Sequence, residues 1–387
     1  MTSAAPVEIP GTSTRSLGLD HLRIFAAAWV VVFHWGNFYF PFESAWDPAG
    51  AFVRAGYLGV DLFFLLSGAV IAHSAMRRSW SSFARARFLR LFPAYFAVAL
   101  LVVVGFFLVG AAEGETRALD AGVVMGLTGL VFWTDAELII APSWTLFYEV
   151  NFYILIALLI LAVRNDLTLQ RMLGASYVYF VLWILATASG DALLSLVTIS
   201  PFGPLFVLGA LLGTSTSREL LQKNGPAIVI ALAMSYYVLM GRTAEMGVSG
   251  FEQVLWILAI LTLASSIILW SSLRRSDSRK HARARKLVQT LSLMTYPVYL
   301  LHLEVGWAII RQVESLGFGV PAGIAASTFV ILVLAWMSVR WYEPWARARI
   351  RQALGWVDDR RVLPSAETPG DQRTESSDSA VSRSPLT

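Results

Sequence analysis

Read for its alternation of apolar and polar positions, the chain is a succession of long apolar runs divided by short polar breaks. Eleven runs stand out, at roughly 22–40, 56–75, 93–110, 121–134, 145–163, 173–190, 197–213, 225–241, 254–272, 289–310 and 321–341. A helix that crosses a membrane needs about 20 mostly apolar residues, with a lower limit near 17. Residues 121–134 (AGVVMGLTGLVFWT) fall short of that limit, whereas the rest approach or exceed it.

The basic residues between the runs fix how many of them cross. Residues 76–90 hold five Arg, and residues 273–286 hold seven Lys or Arg. Both belong on the cytoplasmic side by the positive-inside rule, which demands an even number of spans between them. Seven runs lie there, so one does not cross, and the short 121–134 run is read as a re-entrant or interfacial segment. The chain is therefore expected to be an all-α polytopic membrane protein of about ten transmembrane helices, with both termini cytoplasmic. Loops assigned to the outside then carry one basic residue each (Arg54, Arg117, Arg242, Arg311) or none. Residues 17–352 form one transmembrane domain in this reading. Residues 1–16 and 353–387, which are polar and rich in small residues, are expected to be disordered tails. No repeat at a fixed period is visible, and the two halves do not read as inverted copies, which speaks against a secondary transporter.

Composition agrees. Hydrophobic residues make up 56% of the 387, charged residues 14%, and the mean hydropathy is +0.62. An ordinary soluble domain is about 25% charged, so soluble globular domains, a nucleic-acid binder and a disordered chain are excluded. There is no Cys, which rules out disulfides, thiolate chemistry and Cys-ligated metals. The five His are scattered without HxxxH or HExxH spacing, so no metal site is expected.

Ionisable groups inside spans are costly and are functional suspects by default. Arg23 and His34 lie in the first run, eleven residues apart. Eleven steps of 100° leave them about 20° apart on the helix and about 16 Å apart along it. One face thus carries a cation near the cytoplasm, readable as a snorkelling anchor, and an imidazole deep in the membrane. A neutral imidazole there is available as a general base, and a hydrogen-bonded structural histidine is the alternative. Asp61 begins the second run as an interfacial cap or as a group that orients His34, and Gly56, Gly59 and Gly68 permit close helix packing. Arg87 and Arg90 precede Pro93. They either set topology or clamp the phosphates of a cytoplasmic nucleotide-bearing donor. Glu149, among Trp144, Phe147, Tyr148, Phe152 and Tyr153, is either a snorkelling acid in an aromatic belt or a carboxylate for a polar substrate or for His34. His302 and Glu304 are two residues apart and cannot share a helical face, so at least one should face the protein interior. Trp35, Tyr39, Trp46 and Trp144 cluster toward the outer mouth, where aromatic faces suit either sugar stacking or an interfacial belt.

Together these residues resemble the membrane acyltransferase-3 family of integral-membrane O-acyltransferases, over most of 19–345. LDHLRIFAAAWVVVFH is similar to the family's opening LDGLRxxA…H and places Arg23 and His34. GVDLFFLLSGAVI resembles GVDLFFVLSGFLI, and Arg87 with Arg90 fit its RxxR pair. PSWTLFYEVNFYIL resembles WSLxxExxFY, placing Trp144, Glu149 and Tyr153, and SLMTYPVYLLH resembles SYxLYLLH, placing His302. Two positions depart. His21 stands where the family has Gly, and Val150 where many members carry a second acid.

The resemblance implies transfer of a short acyl group, often acetyl, from cytoplasmic acyl-CoA to a hydroxyl outside, by a multi-pass protein of the inner (plasma) membrane. His34, Asp61 and Glu149 are then the expected catalytic residues, with His34 as general base. Arg23, Arg87 and Arg90 would bind the donor, and Trp144, Tyr153 and His302 are the further expected substrate-binding residues. The donor, acyl-CoA, is a substrate, and no bound cofactor or metal is expected. Partners are the bilayer and an envelope glycan, glycolipid or macrolide-like acceptor, and not nucleic acid. The rival reading is a proton-coupled transporter or flippase of an envelope precursor, which would move its substrate without consuming acyl-CoA.

Overall fold

The computed structural model describes residues 16–39, 48–112, 121–129, 133–134, 138–246, 250–273 and 282–356. The two tails read from sequence lie outside the described residues, apart from Ser16 and the stretch 353–356. Among the described residues the chain is helical throughout, without strands.

The helices are, in order, α1 (Leu17–Tyr39), α2 (Pro48–Arg54), α3 (Leu58–Ala75), α4 (Trp80–Ala112), α5 (Ala121–Thr128), α6 (Trp144–Ala162), α7 (Leu169–Ser189), α8 (Ala192–Val197), α9 (Gly203–Thr214), α10 (Arg218–Glu245), α11 (Gly250–Leu273), α12 (Ala282–Leu301), α13 (Glu304–Ser315), α14 (Val320–Met337) and α15 (Glu343–Ala353). Short polar side chains start several of them. Thr168, Asp191 and Ser217 each accept a hydrogen bond from the backbone N–H three residues on, at the heads of α7, α8 and α10. Gly190, at φ +67°, ends α7 in a left-handed conformation that costs glycine nothing.

Eight helical stretches are long and apolar enough to cross a membrane: Leu17–Asn37, Gly50–Ala75, Trp80–Leu108, Ala141–Ala162, Leu169–Ser189, Arg218–Glu245, Gly250–Leu273 and Val320–Ala353. The ninth apolar segment is broken. Arg283–Leu301 and Glu304–Ser315 meet at 69°, with His302 and Leu303 at the break. Pro297, inside α12, lacks the N–H that would bond one turn back, which weakens the helix just before it bends. The tenth is α9, whose 12 residues span about 18 Å, less than the ~30 Å hydrocarbon core. The 121–134 run forms only the eight-residue α5, too short to cross.

At the centre of the bundle lie α3 and α9; α9 is apolar on all sides and almost wholly buried, and α3 is buried over most of its length. Their backbones touch. A Cβ on Gly68 would stand 2.0 Å from the Phe206 carbonyl oxygen, and one on Gly209 would stand 1.9 Å from that of Leu65. Gly213 packs on Ala69 in the same way, so the pair uses the small-residue spacing of closely packed membrane helices. On its other side α3 runs antiparallel to α1. Gly56 meets Trp29 and Phe33, while Gly59 meets Ala26 and Val30. This order sets the relative depths of the ionisable side chains.

Candidate active site

His34, in the last third of α1, is half-buried. Its Nδ1 lies 2.9 Å from the Val30 carbonyl oxygen one turn back and 3.1 Å from Nε2 of His302. His302 has no exposure at all, and its Nδ1 lies 2.6 Å from the Tyr299 carbonyl oxygen. These partners assign both tautomers. A carbonyl oxygen only accepts, so His302 carries its proton on Nδ1 and turns the lone pair of Nε2 toward His34. His34 likewise carries its proton on Nδ1, shared between Val30 and His302. In the neutral ring this leaves the lone pair on Nε2. The helix break makes this possible, because α12 and α13 part at His302. The freed His302 carbonyl accepts from the Trp35 indole N–H at 2.9 Å, and the Glu304 carboxylate, just past the break, accepts from the Ala141 N–H at 2.6 Å. Tyr299 donates to the Pro142 carbonyl at 3.1 Å. The break is thus clamped to the segment that leads into α6, and both His302 and Glu304 are engaged inside the protein.

Asp61 does not lie beside His34. Its place on α3, beyond Gly59 and its contact with Ala26, puts it deeper in the bundle. It is 1% exposed and pairs with Arg242, whose Nε stands 3.0 Å from Oδ2. The Arg242 guanidinium is in turn held by aromatic rings, with centroids of Phe202, Trp144 and Tyr57 at 5.0, 5.3 and 5.8 Å, within cation–π range. Arg242 therefore departs from the sequence reading, which counted it as a loop charge. α10 continues past the apolar run and carries it inward. Trp144, expected to bind substrate, offers one face to this cation.

Glu149 is likewise engaged away from His34. It accepts from Tyr153 in a short hydrogen bond and from Ser67 of α3 at 3.3 Å. Tyr153 lies under Arg87, whose guanidinium stands 5.7 Å from the Tyr153 ring centroid and donates to Ser74 at 3.0 Å. Ser67 and Ser74, two turns apart on one face of α3, and Asp61, about 120° around the helix from Ser67, are thus each tied to a different helix. The expectation that Asp61 or Glu149 orients the imidazole is replaced by the histidine pair, and Tyr153 faces the arginine end instead of the His34 end.

At the opposite end from His34, Arg90 covers Tyr296, 5.7 Å from its ring centroid. Nε of Arg87 and Nη1 of Arg90 are buried and have no hydrogen-bond partner among the described residues, so each keeps a donor for a ligand. Arg347 braces this end from α15. It donates to the Leu89 carbonyl at 2.9 Å and pairs with Glu343 in a short contact. Arg23 stands 3.8 Å from Asp20, itself buried and bonded to Ser292 of α12 at 2.6 Å. Of the outer aromatic residues, Trp35 is buried in the clamp just described, and Trp46 lies outside the described residues. No group of three or more His, Asp or Glu among the described residues is placed to hold a metal ion.

Eight helices long and apolar enough to cross a membrane, a histidine pair toward one end and arginine donors without partners toward the other define a class, the multi-pass membrane protein with polar groups buried at both ends of its bundle. Comparison with known proteins names the family. The chain belongs to the acyltransferase-3 family, whose acyltransferase domain matches residues 16–340, and it is an acyltransferase. It is 32% identical over 158 residues to "Protein 2 in picA locus" of Rhizobium radiobacter, covering 35% of this chain and 77% of that protein. It is 31% identical over 152 residues to "Acyltransferase MdmB" of Streptomyces mycarofaciens, covering 38% of this chain and 39% of that protein. No solved structure matches.

Proposed function

We propose that the protein transfers a short acyl group, acetyl in the first instance, from cytoplasmic acyl-CoA to a hydroxyl of an extracytoplasmic carbohydrate or glycolipid, from a seat in the plasma membrane. The observation that carries this reading is the histidine pair, which leaves a lone pair on His34 Nε2 and backs the same ring with His302. Arg87 and Arg90 supply the donors that phosphates of the donor require, and Ser74 and Ser67 continue polar groups along one face of α3 from Arg87 to Glu149.

In this reading the acceptor hydroxyl gives its proton to His34 Nε2 as its oxygen attacks the thioester carbonyl. The tetrahedral adduct collapses, the carbon–sulfur bond breaks, and the thiolate leaving group takes the proton back from His34. The ester and free CoA are the products. The imidazolium formed in between is stabilised by its Nδ1–H on His302 Nε2, the task a carboxylate performs in hydrolytic triads. Asp61 and Glu149 are positioning residues. Asp61 holds Arg242 against Trp144, and Glu149 holds Tyr153 beneath Arg87. Asp20, paired with Arg23 on the same helix, joins α1 to α12 through Ser292.

The test uses membranes containing wild-type or His34→Ala protein, supplied with radiolabelled acetyl-CoA and fractionated for glycans and lipids. Label should enter an alkali-labile product with wild type only. Labelling that persists in a correctly folded His34→Ala protein removes His34 as the base. A wild-type membrane that consumes no acyl-CoA of any chain length, while moving an envelope precursor, returns the site to a transporter.

A further inference from the structure

Between α12 and α14 lies a surface groove of about 590 Å³ that the catalytic reading does not use. One stripe of α12 forms its first wall, with Arg283, Leu287, Leu291 and Met294 following one another at spacings of four, four and three residues, and Lys286 beside them. Such spacings lie on one helical face. The opposite wall, on α14, includes Phe329 and Trp336 and is apolar. The groove is therefore polarised along its own length. Two cations stand at its start, and from Arg283 to Met294 the α12 stripe extends about 16 Å. α12 bears no acidic residue to neutralise them. Leu287 and Phe329 are 60% and 69% exposed, so neither wall is filled by the described residues.

We propose that this groove is a binding site for an acidic phospholipid, with the phosphate on Arg283 and Lys286 and an acyl chain laid between Leu291 and Phe329. Charge complementarity selects the occupant. A purely apolar helix face takes any lipid tail, whereas a basic pocket between membrane helices favours an anionic headgroup. The site sits on the helix that leads into His302, on the stripe outside the bundle, so a bound lipid would brace α12 at the end opposite the histidine pair.

The experiment uses the full chain in lipid nanodiscs with phosphatidylglycerol carrying a photoactivatable acyl chain, followed by peptide mapping. Label should concentrate on residues 287–294 and 329–336. Unlabelled phosphatidylglycerol should displace the probe about 30-fold better than phosphatidylcholine, as expected for two cations worth about 1 kcal/mol each. Arg283→Gln with Lys286→Gln should bring the two lipids near parity, and Leu291→Trp, which fills the groove, should lower labelling by both. Equal displacement by the two lipids in wild type overturns the proposal, as does label spread evenly over the helices. Displacement of the probe by acyl-CoA at phosphatidylglycerol-like concentrations also overturns it and gives the groove to the donor. Elution of each variant at the wild-type volume on size exclusion excludes unfolding as the cause.

Discussion

Replacing His302 by Leu tests the histidine pair directly. The substitution keeps a buried apolar volume but removes the lone pair that faces His34 Nδ1–H at 3.1 Å. His34 keeps its bond to Val30, so its tautomer and its free Nε2 survive. What is lost is the partner that shares the charge once Nε2 is protonated. A hydrogen bond to a charged group contributes about 1.5–3 kcal/mol, which corresponds to about 10- to 150-fold in rate. Loss of the base itself in His34→Ala should cost more, about 10²–10⁴-fold. The assay is the initial rate of acetyl transfer in proteoliposomes at saturating donor, read beside the KM for acetyl-CoA. That KM should not move, because the arginine end is untouched. The double variant His34→Ala, His302→Leu should be no slower than His34→Ala alone, since His302 acts only through His34. His302→Gln, which offers both a donor and an acceptor, should recover part of the lost rate. A His302→Leu rate within two-fold of wild type would refute the reasoning. So would a loss as deep as that of His34→Ala, which would place His302 on the substrate itself.

Three further outcomes follow from the geometry. Asp61→Asn strands Arg242 in a buried aromatic cage, and breaking a buried pair costs about 3–5 kcal/mol. The detergent-solubilised protein should melt well below wild type, and Asp61→Asn with Arg242→Gln should recover part of the loss; an unchanged melting temperature would show that the pair is not a structural unit. Gly209→Leu drives a side chain into the Leu65 carbonyl 1.9 Å from the Cβ position, so monodisperse protein should be lost, whereas Gly174→Ala, with nothing within 4 Å, should express normally. Arg87→Gln with Arg90→Gln should raise the KM for acetyl-CoA by about 100-fold or more, from two charge-assisted phosphate contacts of about 1.5–3 kcal/mol each, and an unchanged KM would leave these arginines as determinants of topology alone.

Much of the architecture could be read from the order of residues because lipid imposes it locally. Length and hydropathy are properties of a single segment, so the apolar runs, the shortness of 121–134 and the close-packing glycines of α3 all emerged before any helix was placed. The partners of the ionisable groups are not local properties. His34 and His302 are 268 residues apart, and nothing in either segment specifies the other. The nearest sequence signal was the pair His302 and Glu304, whose spacing is awkward on one helix and natural across a break after Pro297. Arg242 was missed because hydropathy falls after residue 241, which reads as the start of a loop even though α10 runs on to Glu245. A countercharge argument would have narrowed the search. A buried Asp61 requires a cation, and the loops assigned to its end of the bundle offered only four. Glu149 reads as an acid in an aromatic belt or as a partner for substrate or His34, but its contact with Ser67 follows from how α6 crosses α3, which no local pattern encodes.

The assignment of both imidazole protons by backbone carbonyls has a consequence for how the enzyme works under a membrane potential. A base oriented by a carboxylate holds a fixed negative charge within the bilayer. Moving one elementary charge across the full field is worth about 2.3 kcal/mol per 100 mV. Two histidines that each carry one proton, steered by the carbonyls of Val30 and Tyr299, hold no such charge at rest. The resting pair is electrically silent, and charge appears there only while a proton is in transit from the acceptor. In the proposed mechanism the charge this pair moves is one proton over a few ångströms of a ~30 Å core, about 0.2 kcal/mol per 100 mV, so with donor saturating the rate in sealed vesicles should change by less than about two-fold as a potassium gradient and ionophore step the voltage.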